Sequence, residues 1–196
     1  MPPQSALASI ERANARLAEL VGADNGFVAS IIGRFYAMDR DNRWERVEQA
    51  YRLLTEGQAE YYASSAETAL RDAYQRGETD EFVAASSIPL GEDPIALKDG
   101  DAAIFLNFRS DRARELTRAF VEPGFNGFER RTCPKLASKG LVMMTQYAAD
   151  IPTPAAFPHR ILMTLLGSRR QARLETATHC RNREVSPRNV LLFGRQ

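Results

Sequence analysis

The sequence predicts an α/β fold: a single open sheet with helices on both faces. Three observations carry that prediction. Short apolar runs alternate with amphipathic stretches through residues 1–158, the signature of strand–helix–strand units. The runs themselves are nearly continuous in apolar character, as in strands covered on both sides. Each early helical stretch closes on a glycine, at Gly22, Gly57 and Gly77.

Taken in order, Leu7, Ile10, Leu17 and Leu20 share one helical face before Gly22. Phe27 to Ile32, bounded by Gly26 and Gly33, is too short and too β-branched for a helix and reads as a buried strand. Asn42, with Glu45 three residues on, reads as a capping box. The helix it opens has the stripe Trp44, Val47, Tyr51 and Leu54 and ends at Gly57. A third helix spans about Ala63 to Arg76, and Phe82–Ala85 is a short strand candidate. Ala102–Phe108 is the strongest strand signal in the chain. Ser110 or Asp111 caps the next helix, whose buried face is Ala113, Leu116, Thr117 and Phe120, until Pro123, Gly124 and Gly127 break it. Leu141–Thr145 is a further strand, so Met143 and Met144 belong to the sheet and not to a soft-metal site.

Composition sets outer limits. The chain has 196 residues, 44% hydrophobic and 26% charged, which suits one domain with a real core. No apolar run approaches the ~20 residues that cross a bilayer. The first residues lack the pattern of a secretory signal, so a reducing, cytoplasmic setting is expected. Cys133 and Cys180 are too few for a disulfide scaffold or a four-ligand zinc site. The net charge of +1 hides an asymmetry: residues 1–158 balance at −5, whereas residues 159–196 hold eight arginines, two glutamates and both histidines, His159 and His179.

Two arginine pairs occupy equivalent places. Arg34 follows a predicted strand and Arg40 precedes the next helix; Arg109 follows a strand and Arg112 falls in the first turn of the next helix. Ligands of open α/β sheets bind beyond the carboxyl ends of the strands. The guanidinium fork matches phosphate and carboxylate oxygens. Four arginines there would make a small-anion pocket. The same residues beside Asp39, Asp41 and Asp111 could equally be solvated ion pairs, worth ~0–1 kcal/mol each. A cation in a first helical turn also opposes the dipole. The residues alone leave both readings open.

At these arginines the chain resembles a known family. GRFYAMDRDNRWERVEQAYRLLTEG (33–57), DGDAAIFLNFRSDRARELTRAF (99–120) and LVMMTQYAADIPTPAAFP (141–158) look like segments of cofactor-independent phosphoglycerate mutases, in matching order and spacing. The resemblance covers nearly all of residues 5–158 and implies a phosphotransferase domain of α/β type. It places Arg34, Arg40, Arg109 and Arg112, with Ser110 and Asp111 between the last two, at the family's substrate-binding positions, and so favours the anion pocket. The implied reaction interconverts 3- and 2-phosphoglycerate through a phosphoserine, with two manganese or magnesium ions. The family's serine nucleophile, its metal ligands, its DGRD motif and a histidine before this section have no counterpart in this sequence. No catalytic residue, metal ligand or cofactor is therefore expected on this chain, and its own inactivity is expected. The partner expected is phosphoglycerate, bound by a monomer, without nucleic acid or membrane.

After Pro158 the resemblance stops, where the charge balance also flips. With suitable codons, residues 178–196 read one base on as RIAETEKYRHVTFFFSGG, which resembles the family's continuation. Residues 159–196 are accordingly expected to be an out-of-frame basic tail that packs poorly. The competing reading is a genuine basic tail for phosphates of nucleic acid or membrane, although it lacks interleaved aromatic residues. Two functions stand: a partial chain of a glycolytic mutase, or a non-catalytic module that binds phosphoglycerate weakly.

Overall fold

The computed structural model describes residues 2–22, 25–91, 93–136 and 140–158, and the backbone of 191–194. The order of elements is α1 (Leu7–Val21), β1 (Ser30–Ile31), α2 (Arg34–Ala37), α3 (Trp44–Glu56), β2 (Tyr61–Tyr62), α4 (Ala66–Gln75), β3 (Ser86–Ser87), β4 (Ala102–Phe105), α5 (Arg114–Val121), β5 (Leu141–Thr145), β6 (Ala155–Phe157) and β7 (Leu191–Gly194). The α/β class holds, but there are two open sheets where one was expected. The first has the order β1-β3-β2 and the second β6-β5-β4-β7. Pro89 and Pro94 lie between them and donate no backbone N–H, so the ladder cannot run on from β3.

The larger sheet carries the main core. β4, β5 and β6 are parallel, with Ala103 opposite Leu141 and Met143 opposite Ala155. Val47, Tyr51 and Leu54 of α3 and Leu116, Ala119 and Phe120 of α5 pack on Phe105, Leu141 and Met143. Each such buried side chain contributes ~1.5–3 kcal/mol of transfer free energy. Ala102 and Ile104 point the other way and are exposed, Ile104 at 46%. Helical cover of both faces is therefore not found at β4 among the described residues. Successive strand residues alternate sides, and α3 and α5 occupy only one of them. A smaller core joins Leu70, Ala73 and Val83 to Leu7, Ile10 and Ile31, seating α1 on α4.

Several boundaries differ from expectation. The apolar run Phe27–Ile32 forms a strand only at Ser30–Ile31 and is half-buried, not buried. Phe82–Ala85 is not a strand; the pairing falls on Ser86–Ser87, with Tyr61–Tyr62 alongside in parallel. Ala102–Phe108 is a strand only to Phe105, and Phe108 is 77% exposed. Ser65, rather than a residue near Ala63, caps α4 by accepting from the Thr68 N–H. Gly57 does end α3, in a left-handed conformation (φ 65°) that costs other residues steric strain.

Leu191–Gly194 pairs antiparallel with β4, Leu191 opposite Phe105. Of the stretch 159–196, expected to pack poorly, this backbone run supplies the ladder that β4 offers at its free edge. The remainder of that stretch, including His159, His179 and Cys180, lies outside the described residues.

Candidate anion site

The site is built from two chain segments. The first begins at Gly33, where the strand run turns into α2. Its N–H donates to the Val83 oxygen at 2.7 Å, and a Cβ there would sit 2.3 Å from the Glu81 oxygen. Arg34 is the next residue; its guanidinium pairs with Glu81 at 2.8 Å and is 44% exposed. One helical turn on, α2 ends at Met38.

Asp39 then organises residues 39–43. It is 5% exposed, and its Oδ2 accepts the N–H groups of Asp41 (2.9 Å) and Arg43 (3.0 Å), while Oδ1 faces Arg46 at 3.4 Å. Burial alone would raise the Asp39 pKa, but the two N–H bonds and the charges of Arg46 and Arg43 hold it below the ordinary carboxylate value. The expected capping box at Asn42 is not formed. The residue flanking α3 is Arg43, and no side chain caps it. Asn42 adopts φ 57°, and its N–H donates instead to Glu115 Oε1 at 3.0 Å. Asp39 braces the loop before α3, from Asp41 to Arg43, without capping the helix. The result projects Arg40 outward, 53% exposed, with Nη1 3.9 Å from Asp111 Oδ2.

The second segment leaves β4. The Tyr147 hydroxyl reaches the carbonyl oxygens of Phe105 (3.1 Å) and Asn107 (2.9 Å), which fixes the exit of the strand. Burial pushes that phenol up to about 12, so it stays a neutral donor. Arg109 Nη2 then meets Asp111 Oδ2 at 3.0 Å, and Arg112 Nη1 donates to the Met38 oxygen at 3.0 Å. Neither Ser110 nor Asp111 caps α5. The residue before the helix is Ala113, without a side-chain cap. Ser110 Oγ accepts from Arg114 Nη2 at 3.3 Å, and Asp111 is occupied by arginines. Arg112 precedes α5 rather than lying in its first turn, and its Nη1 is drawn to the Met38 oxygen.

Of the four predicted arginines, two share a counter-ion and a third is tied to a neighbouring backbone carbonyl. Arg40 and Arg109 share Asp111, and Arg112 is tied to the segment that carries Arg40. Arg34 starts the same helix one turn before Met38 but is drawn to Glu81. The ion pairs of Arg40 and Arg109 are half-exposed, and water or a stronger anion can displace them. Arg114 escaped sequence reasoning. It donates to the Tyr147 oxygen at 2.7 Å and, with Ser110, Gln146, Tyr147, Ala148 and Ala149, lines a cavity of about 260 Å³ beside the cluster. Its place in the NFR-x-DRAR run was the available signal. Among the described residues, no group of three or more His, Cys, Asp or Glu could hold a metal ion. The metals implied by the resemblance therefore do not fit these residues.

Comparisons with known proteins show the family of the chain. A family model described as "BPG-independent PGAM N-terminus" matches residues 1–149. A 2,3-bisphosphoglycerate-independent phosphoglycerate mutase of Chromohalobacter salexigens is 67% identical over 165 residues, covering 84% of this chain and 31% of that protein. The protein of the same name from Pseudomonas aeruginosa is 56% identical over 167 residues, 85% of this chain and 32% of its own length. A crystal structure of Leishmania mexicana phosphoglycerate mutase at low cobalt concentration superposes with a TM-score of 0.73 at 32% identity, over 81% of this chain and 30% of that one. The chain thus spans about a third of the length of the relatives it matches. By that model and those identities, the chain belongs to the N-terminal family of the 2,3-bisphosphoglycerate-independent phosphoglycerate mutases.

Proposed function

We propose that residues 1–158 are the substrate-holding part of a 2,3-bisphosphoglycerate-independent phosphoglycerate mutase, a monomeric cytoplasmic enzyme of glycolysis that interconverts 3- and 2-phosphoglycerate. Residues 159–196 are proposed to be an out-of-frame basic tail. The observation that supports the functional reading is that Arg40 and Arg109 share Asp111 after β4 while Arg112 ties the same turn to Met38, two residues before Arg40. Three guanidinium groups there offer parallel N–H pairs to a phosphate or carboxylate. Arg34, Ser110 and Asp111 complete the proposed binding set, with Asp111 as the resident counter-ion that substrate displaces. Arg34 can join once it exchanges Glu81 for the ligand.

In this reading the arginines bind and orient a substrate while chemistry proceeds elsewhere. The nucleophilic serine and the manganese or magnesium ions of the proposed reaction are not supplied by residues 1–158. The partner is the small-molecule phosphoglycerate, not nucleic acid or membrane; no helix among the described residues is long and apolar enough to cross a bilayer. Calorimetric titration of the 196-residue chain with 3-phosphoglycerate tests the proposal. Saturable binding that weakens with added salt supports it, and heat no different from that of a neutral sugar would overturn it. Turnover of 3-phosphoglycerate by the chain alone is expected to stay at the no-protein rate.

A further inference from the structure

Residues 3–6 run beside the end of α4 and are fastened there through Asp80. The Asp80 N–H donates to the Pro3 oxygen at 2.8 Å, and its Oδ2 accepts both the N–H (3.0 Å) and the hydroxyl (3.2 Å) of Ser5. Its Oδ1 accepts the Tyr74 hydroxyl, which in turn accepts the Ala6 N–H at 3.2 Å. One half-buried carboxylate thus gathers donors from α4 and from a segment 75 positions earlier. The next residue, Glu81, is the partner of Arg34. Its Oε2 pairs with Arg34 Nη2 at 2.8 Å, and its carbonyl oxygen accepts the Phe35 N–H at 3.0 Å. Two residues on, the Val83 oxygen accepts the Gly33 N–H at 2.7 Å. The backbone on both sides of Arg34 is therefore laid against residues 81–83, and Asp80 ties that stretch down.

We infer that Asp80 is a positioning residue: by clamping the turn 79–83 to the N-terminal segment, it fixes the place from which Arg34 reaches an anion. The inference rests on the anion-site reading for its effect on a ligand, whereas the clamp itself is given by the hydrogen bonds. The half-exposed Arg34–Glu81 pair is too weak to hold a backbone segment by itself. A carboxylate that accepts a backbone N–H and two hydroxyls is the firmer anchor, because hydrogen bonds to a charged acceptor are the strong ones. With the clamp intact, Arg34 starts α2 from one position and needs little further ordering when a ligand arrives. Without it, Arg34 and Glu81 keep each other but drift together, and the arginine loses its fixed place.

Asp80→Ala removes the acceptor, and Tyr74→Phe removes one of its donors while keeping the ring. Amide-exchange protection at Gly33 and Phe35, with the amides of α5 as reference, and 3-phosphoglycerate binding are to be measured in the 196-residue chain. Both variants should lose protection at Gly33 and Phe35 about fivefold or more beyond any change in α5. Both should weaken 3-phosphoglycerate binding by about threefold to tenfold. That weakening should vanish when Arg34 is already alanine and persist when Arg109 is alanine, because the clamp acts through Arg34. Unchanged protection at Gly33 and Phe35, an equal fall in α5, or the same weakening in the Arg34→Ala chain overturns the inference. Should Asp80→Ala not fold, Tyr74→Phe alone decides by the same criteria. If protection responds as expected but no chain binds 3-phosphoglycerate, the clamp is supported and the anion-site reading is overturned. If the parent binds and protection does not respond, the anion-site reading stands and the inference falls.

Discussion

Arg112 Nη1 donates a 3.0 Å hydrogen bond to the carbonyl oxygen of Met38, 74 positions earlier in the chain. That bond joins the turn after β4 to the residue that ends α2, and so brings two arginine-bearing segments into one place. A charged donor on a part-buried carbonyl is worth ~1.5–3 kcal/mol when intact. Arg112→Ala should lower stability by ~1–2 kcal/mol in urea denaturation, less than the full value because water replaces part of the bond. It should also weaken 3-phosphoglycerate binding at least tenfold by calorimetry. Unchanged stability would mean that the two segments hold together without this bond.

Asp111 competes with any incoming anion for Arg40 and Arg109. Asp111→Asn removes the resident charge while keeping the shape. Its half-exposed ion pairs contribute little to folding, so stability should move by less than ~1 kcal/mol. Affinity for 3-phosphoglycerate should rise, by about threefold to tenfold, with a steeper salt dependence. A loss of affinity would show that Asp111 orients the arginines more than it blocks them.

Gly33 has no room for a methyl group. A Cβ would lie 2.3 Å from the Glu81 oxygen and 2.7 Å from the Val83 nitrogen, both backbone atoms that cannot swing away. Gly33→Ala should cost ~2–4 kcal/mol by overpacking and displace Arg34 with it. Thermal unfolding checks this, with Gly124→Ala as a control, because nothing lies within 4 Å of a Cβ there.

Asp39 and Glu115 pull the pH profile in opposite directions. Asp39 is lowered from 3.8, so its stabilisation is present above that pH and is lost as pH falls through its folded value. Glu115 is raised from 4.5, so it imposes a cost that grows from about that pH upward until its folded value is passed. Stability attributable to this pair should therefore peak close to pH 4–5 and decline on both sides. Glu115→Gln should remove the alkaline decline and Asp39→Asn the acidic one, as followed by chemical denaturation across pH 3–8. A parent profile that the two substitutions leave unchanged would deny the coupling.

Much of this molecule was legible from local pattern. The 3.6-residue stripes of α3 and α5 (unlike that of α1, which is only partly covered at Leu7 and Ile10 and leaves Leu20 63% exposed) and the run Leu141–Thr145 depend on burial of one face, which a sequence states directly. So do the four arginines flanking strands and helices. What the sequence did not determine was how partners far apart in the chain are shared. Asn42 had the spacing of a cap, but Glu115, 73 positions away, takes its N–H, and no side chain caps α3. Ser110 looked like a cap and became an acceptor for Arg114. Two-residue strands such as Ser86–Ser87 carry no periodicity of their own; they exist because β1 and β2 present free N–H and C=O groups on either side. Residue type and spacing specify which groups need a partner, because that demand is local. Which partner answers is decided by the chain's return, since hydrogen bonds and ion pairs reach only ~3–4 Å and only the packed fold sets those distances.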